Sequence, residues 1–196
     1  MKFILIILLC VLTTEVICQP KPSGEKSCAT LISKGYTKLF CDYDNKNTFK
    51  DISWGIKVDD LNKKTPLICM DSKQYILEKT DDKLKYQDWN GTIFYYSMFR
   101  FNKNKQLYNV QLSVDEDTSN SIFGNSYEEI YLHLEKKFGK ASIYQLKDST
   151  EIQTVGNIYG WEGKNIKIVL RQAWTRRIVV NIYCKRFDID KEVDDL

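Results

Sequence analysis

The chain has 196 residues, 28% of them charged and 43% hydrophobic, with a formal net charge of +3. This balance excludes a low-complexity or disordered chain, and the length suits one domain that buries a core without help from metal. The charge is too mild to imply a nucleic-acid partner, and a single histidine, His133, removes the commonest catalytic base.

The N-terminus reads as an export signal. Lys2 precedes an unbroken apolar run over residues 3–12, FILIILLCVL. That run is shorter than the roughly 20 residues a membrane-spanning helix needs, and it matches the apolar core of a signal peptide. Residues 1–18 are therefore read as a signal cleaved after Cys18, and the protein is expected to be secreted or periplasmic. The alternative is a lipid anchor on Cys18, although Glu15, Val16 and Ile17 match a lipoprotein motif poorly.

Residues 19–26, QPKPSGEK, read as a flexible leader. Ser27 is placed to cap a short helix that Gly35 ends. Residues 42–50 are charged and Asn-rich and read as loop, and residues 54–61 as a short helix. Four cysteines follow the signal: Cys28, Cys41, Cys69 and Cys184. In an oxidising compartment an even count favours two disulfides. Three pairings exist, and Cys28–Cys41 with Cys69–Cys184 is the expected one. A zinc site is disfavoured by the lack of any C-x-x-C pair.

Residues 92–101 are rich in aromatics and read as a strand, followed by a polar turn, NKNK. Tyr108, Val110, Leu112 and Val114 alternate with polar residues, which predicts a strand with one solvated face. Asn90-Gly91-Thr92 is a glycosylation sequon, but Asn-Gly is also a good hairpin turn, the preferred reading. The clearest helix spans 127–138. Ser126 and Glu129 form a capping box. Tyr127, Ile130, Tyr131, Leu134 and Phe138 make one apolar stripe, and Gly139 terminates it. Residues 143–146 and 152–155 are weaker strands. Ile166, Ile168 and Leu170 alternate with Lys167, Val169 and Arg171, and Ile178, Val180, Ile182 and Cys184 alternate with Val179, Asn181 and Tyr183. These form a hairpin around 174–177. Residues 188–196 are an acidic tail.

Strands in runs with few helices indicate an α+β fold with antiparallel sheets. The element order is helix-then-strands, twice, so a single domain over 27–187 divides into halves at 27–118 and 119–187. Several phrases carry a resemblance: DISWG at 51–55, FNKNKQLYNV at 101–110, YEEI at 127–130 with LEKKFGK at 134–140, and Trp161 leading into IKIVL at 166–170. In these the chain resembles a loose class of exported bacterial α+β domains of unknown function. Its layout is similar to the tandem helix-plus-sheet design of the β-lactamase inhibitor protein. The small lipoprotein of the outer-membrane assembly machinery resembles one such unit. Ala141 stands where that class commonly has proline, and the cysteines are a further departure. The resemblance implies a fold and an extracytoplasmic setting, and it transfers no catalytic residue.

No nucleophile elbow, phosphate loop or H-E-x-x-H motif is present. Gly156, Gly160 and Gly163 lack dinucleotide spacing and read as a loop or bulged hairpin. No catalytic, metal or cofactor residue is assigned. The candidate binding surface is the basic last hairpin: Lys167, Arg171, Trp174, Arg176, Arg177 and Tyr183. Arginine and tryptophan are the residues that most often anchor interfaces. The expected function is an exported non-enzymatic interaction module, an enzyme inhibitor or envelope-assembly module, whose partner is a protein of the envelope or exterior and not nucleic acid. The alternatives are a glycan- or anionic-lipid-binding protein, marked by an apolar cavity or by Trp54, Trp89 and Trp161 stacked on one surface, and a hydrolase using paired carboxylates.

Overall fold

The computed structural model describes residues 24–77, 88–89, 91–116, 126–144 and 156–188. The expected signal peptide, most of the leader and tail, Asn90 and the expected strand at 152–155 lie outside them. Among the described residues no helix is long and apolar enough to cross a membrane.

Four helices are described: α1 (Gly24–Ser33), α2 (Lys38–Asn45), α3 (Val58–Lys64) and α4 (Tyr127–Phe138). The strands are β1 (Thr48–Phe49), β2 (Ile52–Ser53), β3 (Leu67–Cys69), β4 (Gln74–Leu77), β5 (Asp88–Trp89), β6 (Thr92–Ile93), β7 (Tyr96–Phe101), β8 (Leu107–Asp115), β9 (Ser142–Tyr144), β10 (Ile158–Glu162), β11 (Ile166–Gln172) and β12 (Arg177–Cys184). Eight of them make one sheet in the order β3-β4-β7-β8-β12-β11-β10-β9, and every neighbouring pair is antiparallel. The fold is α+β, as expected. Helix α3 leads into the strands β3, β4, β7 and β8, and helix α4 leads into β9, β10, β11 and β12. The last strand of each series meets the other at the centre of the sheet, where β8 pairs with β12.

The alternating pattern decides which face is covered. Val110, Leu112, Val114, Ile168, Leu170, Ile178, Val180 and Ile182 are all inaccessible to solvent and project from one side of their strands. Each such side chain contributes about 1.5–3 kcal/mol by leaving water. Helices α2 and α4 pack on that face. Phe138 at the end of α4 lies 5.8 Å from the Phe40 ring of α2, 5.6 Å from Trp89 and 6.1 Å from Trp161. The α4 capping box forms as expected, with the Ser126 hydroxyl accepting from Glu129 N–H and the Glu129 carboxylate accepting from Ser126 N–H. The turn between β5 and β6 carries Gly91 at φ +82°, in keeping with the hairpin reading.

Several local expectations are corrected. Helix α1 starts at Gly24, so Ser27 lies inside it and is no cap. Residues 42–45, expected as loop, finish helix α2. Its N-cap is Thr37, whose hydroxyl accepts from Phe40 N–H at 3.2 Å. The charged look of this stretch misleads because Asp44 is buried and serves the core-facing side. Residues 54–57 are not helical. Gly55 N–H donates to Leu107 C=O and Ile56 C=O accepts from Leu107 N–H, so the backbone is engaged at the start of β8 and α3 begins only at Val58. The aromatic run at 92–101 is split in two at Phe94, which is buried in the core.

Cys28 and Cys41 are disulfide-bonded, with Cα atoms 5.4 Å apart, and staple α1 to α2. The second expected pairing is overturned, because Cys69 and Cys184 are free thiols. Cys69 sits on the edge strand β3 and Cys184 on β12, four strand steps away. At about 4.8 Å per step this is roughly 19 Å, far beyond disulfide reach. Cys69 is exposed and Cys184 buried, and burial pushes the Cys184 thiol above its ordinary value. Under native conditions a maleimide is therefore expected to label Cys69 alone, and both thiols only after unfolding. Mass spectrometry of the labelled peptides checks this, and rapid native labelling of Cys184 would contradict the burial.

Candidate binding face

The other face of the sheet carries no described helix. The register places its side chains in rows that run across the strands. One row reads Gln74, Arg100, Asn109, Tyr183, Lys167 and Glu162. The next reads Ile76, Met98, Gln111, Asn181, Val169 and Gly160. A third reads Tyr96, Ser113, Val179 and Arg171, with Arg177 and Asp115 opposite each other beyond it. In these rows short residues stand between long ones. Asn109, Ser113 and Asn181 are buried, whereas Arg100, Lys167, Arg171 and Tyr183 are half-buried. The strand β8 was expected to have one solvated face, and this part of the expectation is corrected: the polar side chains Asn109 and Ser113 are shielded by their cross-strand neighbours.

The electrostatics of this face are one-signed at its centre. Arg100 donates through Nη2 to Gln111 Oε1 at 2.9 Å. Arg171 has no carboxylate partner among the described residues. Burial pulls its guanidinium below the ordinary value, Tyr183 raises it, and the positive charge of Arg100 lowers it further. Among the described residues the acids in these rows are Glu162, cross-strand from Lys167, and Asp115, cross-strand from Arg177. Asp115 accepts from Arg177 Nε at 2.9 Å, and Glu162 accepts from Lys185 Nζ at 2.8 Å. Asn109 Nδ2 donates to Ile182 C=O at 3.2 Å, which fixes the amide orientation and leaves Asn109 Oδ1 unpaired. Arg100 Nε and Asn181 Oδ1 are also buried without a partner. Unpaired buried polar atoms are costly and mark places that merit a functional reading.

Beside these cations lies an apolar groove of about 390 Å³, lined by Met70, Ile76, Tyr95, Tyr96, Met98 and Arg177 among others. Tyr95, Tyr96 and Met70 are each more than half exposed. The Arg177 guanidinium sits over the Tyr96 ring at 5.2 Å, within cation–π range.

Of the residues expected to bind, Lys167, Arg171, Arg177 and Tyr183 share this face. Trp174 and Arg176 lie apart from it in the β11–β12 turn, where Arg176 has φ +62° and Trp174 is 64% exposed. Sequence reasoning missed Arg100, Gln111, Tyr96 and Met98. The signal was present in β7, where Tyr96, Met98 and Arg100 alternate with Ser97, Phe99 and Phe101, but residues 92–101 read as one aromatic run hid the parity. The stacked-tryptophan form of the glycan reading is overturned, because Trp54, Trp89 and Trp161 are core residues, each at most 3% exposed. Trp89 Nε1 donates to Tyr43 Oη and Trp161 Nε1 to Gly139 C=O. His133 is half-buried on α4. Among the described residues no cluster of three or more His, Cys, Asp or Glu side chains is arranged to hold a metal.

Fold and face together define an antiparallel-sheet α+β protein with one helix-covered side and one cationic side on which no helix lies among the described residues. No protein-family model matches the chain, and no curated protein is significantly similar to it. Among solved structures it is similar to a DUF4309 family protein (YjgB) from Bacillus subtilis subsp. subtilis str. 168. The identity is 11%, the match covers 82% of this chain and 95% of that one, and the TM-score is 0.41.

Proposed function

We propose that this is an exported, non-enzymatic binding protein that offers the face of its sheet opposite α2 and α4 to an anionic partner of the cell envelope or exterior. The carrying observation is that Arg100 and Arg171, close enough for one charge to act on the other, share that face without a carboxylate partner among the described residues, with Lys167 and Arg177 on the same face opposite Glu162 and Asp115. Like charges held together in a partly desolvated place oppose one another, and an anion would offset that cost. The Cys28–Cys41 bond supports export, since such bonds persist in oxidising compartments. The tandem layout, resembling that of the β-lactamase inhibitor protein, makes an inhibitor of an exported enzyme one concrete form. Binding is favoured over hydrolysis by paired carboxylates because the described groove-lining residues include a cation, Arg177, and no acid. The cavities around Lys34 share one, Glu162.

The test is capture by the immobilised, oxidised protein from envelope and culture-medium extracts of its own source. Bound material is expected to elute with salt and to be lost with R100Q/R171Q, while K140Q, at a site away from the face, retains it. Capture that ignores both salt and the face variant would sink the reading.

A further inference from the structure

The groove and the arginines beside it are complementary to a molecule with one anionic end and one apolar end. Arg171 faces Val179 across β11–β12, and Arg177 stands two residues before Val179. The two arginines are thus diagonal neighbours on one face, about 7 Å apart at Cβ. Val179 lies between the two arginines, and next to it in the same row stand Ser113 and Tyr96, both groove-lining residues. Arg177 commits only its Nε to Asp115, which leaves its terminal nitrogens available. Arg171 is without a carboxylate among the described residues, and its desolvation favours a fixed anion close by.

The apolar end has its own place. Tyr96, Met98, Ile76 and Met70 continue from the arginines toward the sheet edge at β3 and β4. Ile68 of β3, cross-strand from Ile76, is 42% exposed and extends the same apolar strip. Methionines adapt to irregular apolar ligands. The volume of about 390 Å³ falls at the lower end of the range for small-molecule sites, about 300–1,000 Å³. Arg177 is the one cation among the described groove-lining residues, and Arg100 on the other flank is turned to the Gln111 amide, so a molecule with a single anionic end matches the groove better than a neutral chain or a polyanion charged along its length.

We propose that this groove binds a fatty acid, its carboxylate held by Arg171 and Arg177 over Val179 and its acyl chain laid past Ser113 along Tyr96, Met98 and Ile76. This deepens the anion-binding reading above and rests on it. The carboxylate accepts hydrogen bonds from the two guanidiniums, and the chain leaves water against the thioether and ring surfaces.

Calorimetric titration of the oxidised protein tests it, with dodecanoate, dodecyl maltoside, acetate and polyglutamate as separate titrants. Dodecanoate is expected to bind one to one, and acetate and the neutral maltoside not to bind. R171Q/R177Q is expected to weaken dodecanoate binding at least ten-fold. Met98→Trp, which fills the groove without touching a charge, is expected to do the same. Both variants are checked for an unchanged thermal melt, and Met98→Leu serves as a milder substitute should the tryptophan unfold the protein. Equal binding of dodecanoate and maltoside, or indifference to either variant, would overturn the fatty-acid assignment. If dodecanoate fails to bind while polyglutamate binds and is lost with R100Q/R171Q, the fatty acid falls and the anion-binding face stands. If no titrant binds, both fall.

Discussion

Asp44→Ala is expected to destabilise the protein by about 4 kcal/mol. The carboxylate is buried at the end of α2 and accepts three backbone N–H groups of the β10–β11 turn: Lys164 at 3.1 Å, Asn165 at 2.9 Å and Ile166 at 2.8 Å. The Asn165 side chain also donates to the Asp44 carbonyl at 3.0 Å. The turn comes this close because Gly163 has no side chain, and a Cβ there would lie 2.0 Å from Asp44 Oδ1. Alanine at position 44 removes the acceptor and leaves three N–H donors without their partner, each costing about 1–3 kcal/mol when buried. For a chain of this length the loss corresponds to a fall in Tm of about 10 °C. Asp44→Asn keeps one acceptor oxygen and is expected to lose less. Urea denaturation checks both, and a loss below about 1 kcal/mol for the alanine variant would show that the turn holds without the carboxylate.

Gly139→Ala is expected to cost about 3 kcal/mol or more. Gly139 closes α4 at φ +90° and ψ −175°, a conformation open to glycine and strained for any other residue. Space is also denied, because a Cβ would lie 2.2 Å from Gly35 C=O and 2.8 Å from Tyr36 Cα. Both neighbours are backbone, so neither can swing aside. The crowding is part of the design of this corner. Gly139 and Tyr36 form a β-bridge, Thr37 N–H donates to Phe138 C=O at 3.1 Å, and the Thr37 hydroxyl donates to Lys137 C=O. Gly139 C=O in turn accepts from Trp161 Nε1 at 2.7 Å. The end of α4, the start of α2 and strand β10 are thereby tied at one point. The expected result is a lowered melting temperature together with a change in tryptophan fluorescence, since Trp161 reports on the same corner. A variant as stable as the parent would mean that the chain leaves α4 differently.

Both effects bear on the proposed face only indirectly. The helices hold the far side of the sheet, and the sheet holds the rows of side chains on the near side. Asp44 and Gly139 variants are therefore expected to act on stability, whereas Arg100, Arg171 and Arg177 variants act on binding.

Local chemistry was legible wherever one segment carried its own signal. The 127–138 helix shows its apolar stripe, its capping box and its terminating glycine within fourteen consecutive residues. The alternation of Ile166, Ile168 and Leu170, and of Ile178, Val180 and Ile182, declares two strands and their buried side, and with it an α+β class. The same alternation set Lys167, Arg171 and Tyr183 on one face before any pairing was known. The even cysteine count pointed to disulfides without choosing among three pairings, and of the preferred pair of bonds only Cys28–Cys41 forms.

Tertiary structure alone decided what depends on distant partners. Helix α2 looked like a charged loop because the partners of Asp44 stand some 120 positions further on, in the β10–β11 turn. The order of the sheet separates Cys69 from Cys184 by three intervening strands, and no spacing along the chain encodes that order. Trp54, Trp89 and Trp161 could have faced water or the core; packing against Phe138 of α4 placed Trp89 and Trp161 inside, and Trp54 is buried beside Phe49. The binding face is the plainest case. Arg100 comes from the first series of strands and Arg171 from the second, and they share a surface only because β8 pairs with β12. Periodicity assigns each strand its two sides. Which strands become neighbours follows from the free energy of burying the whole apolar side at once, and that sum is not written in any single segment.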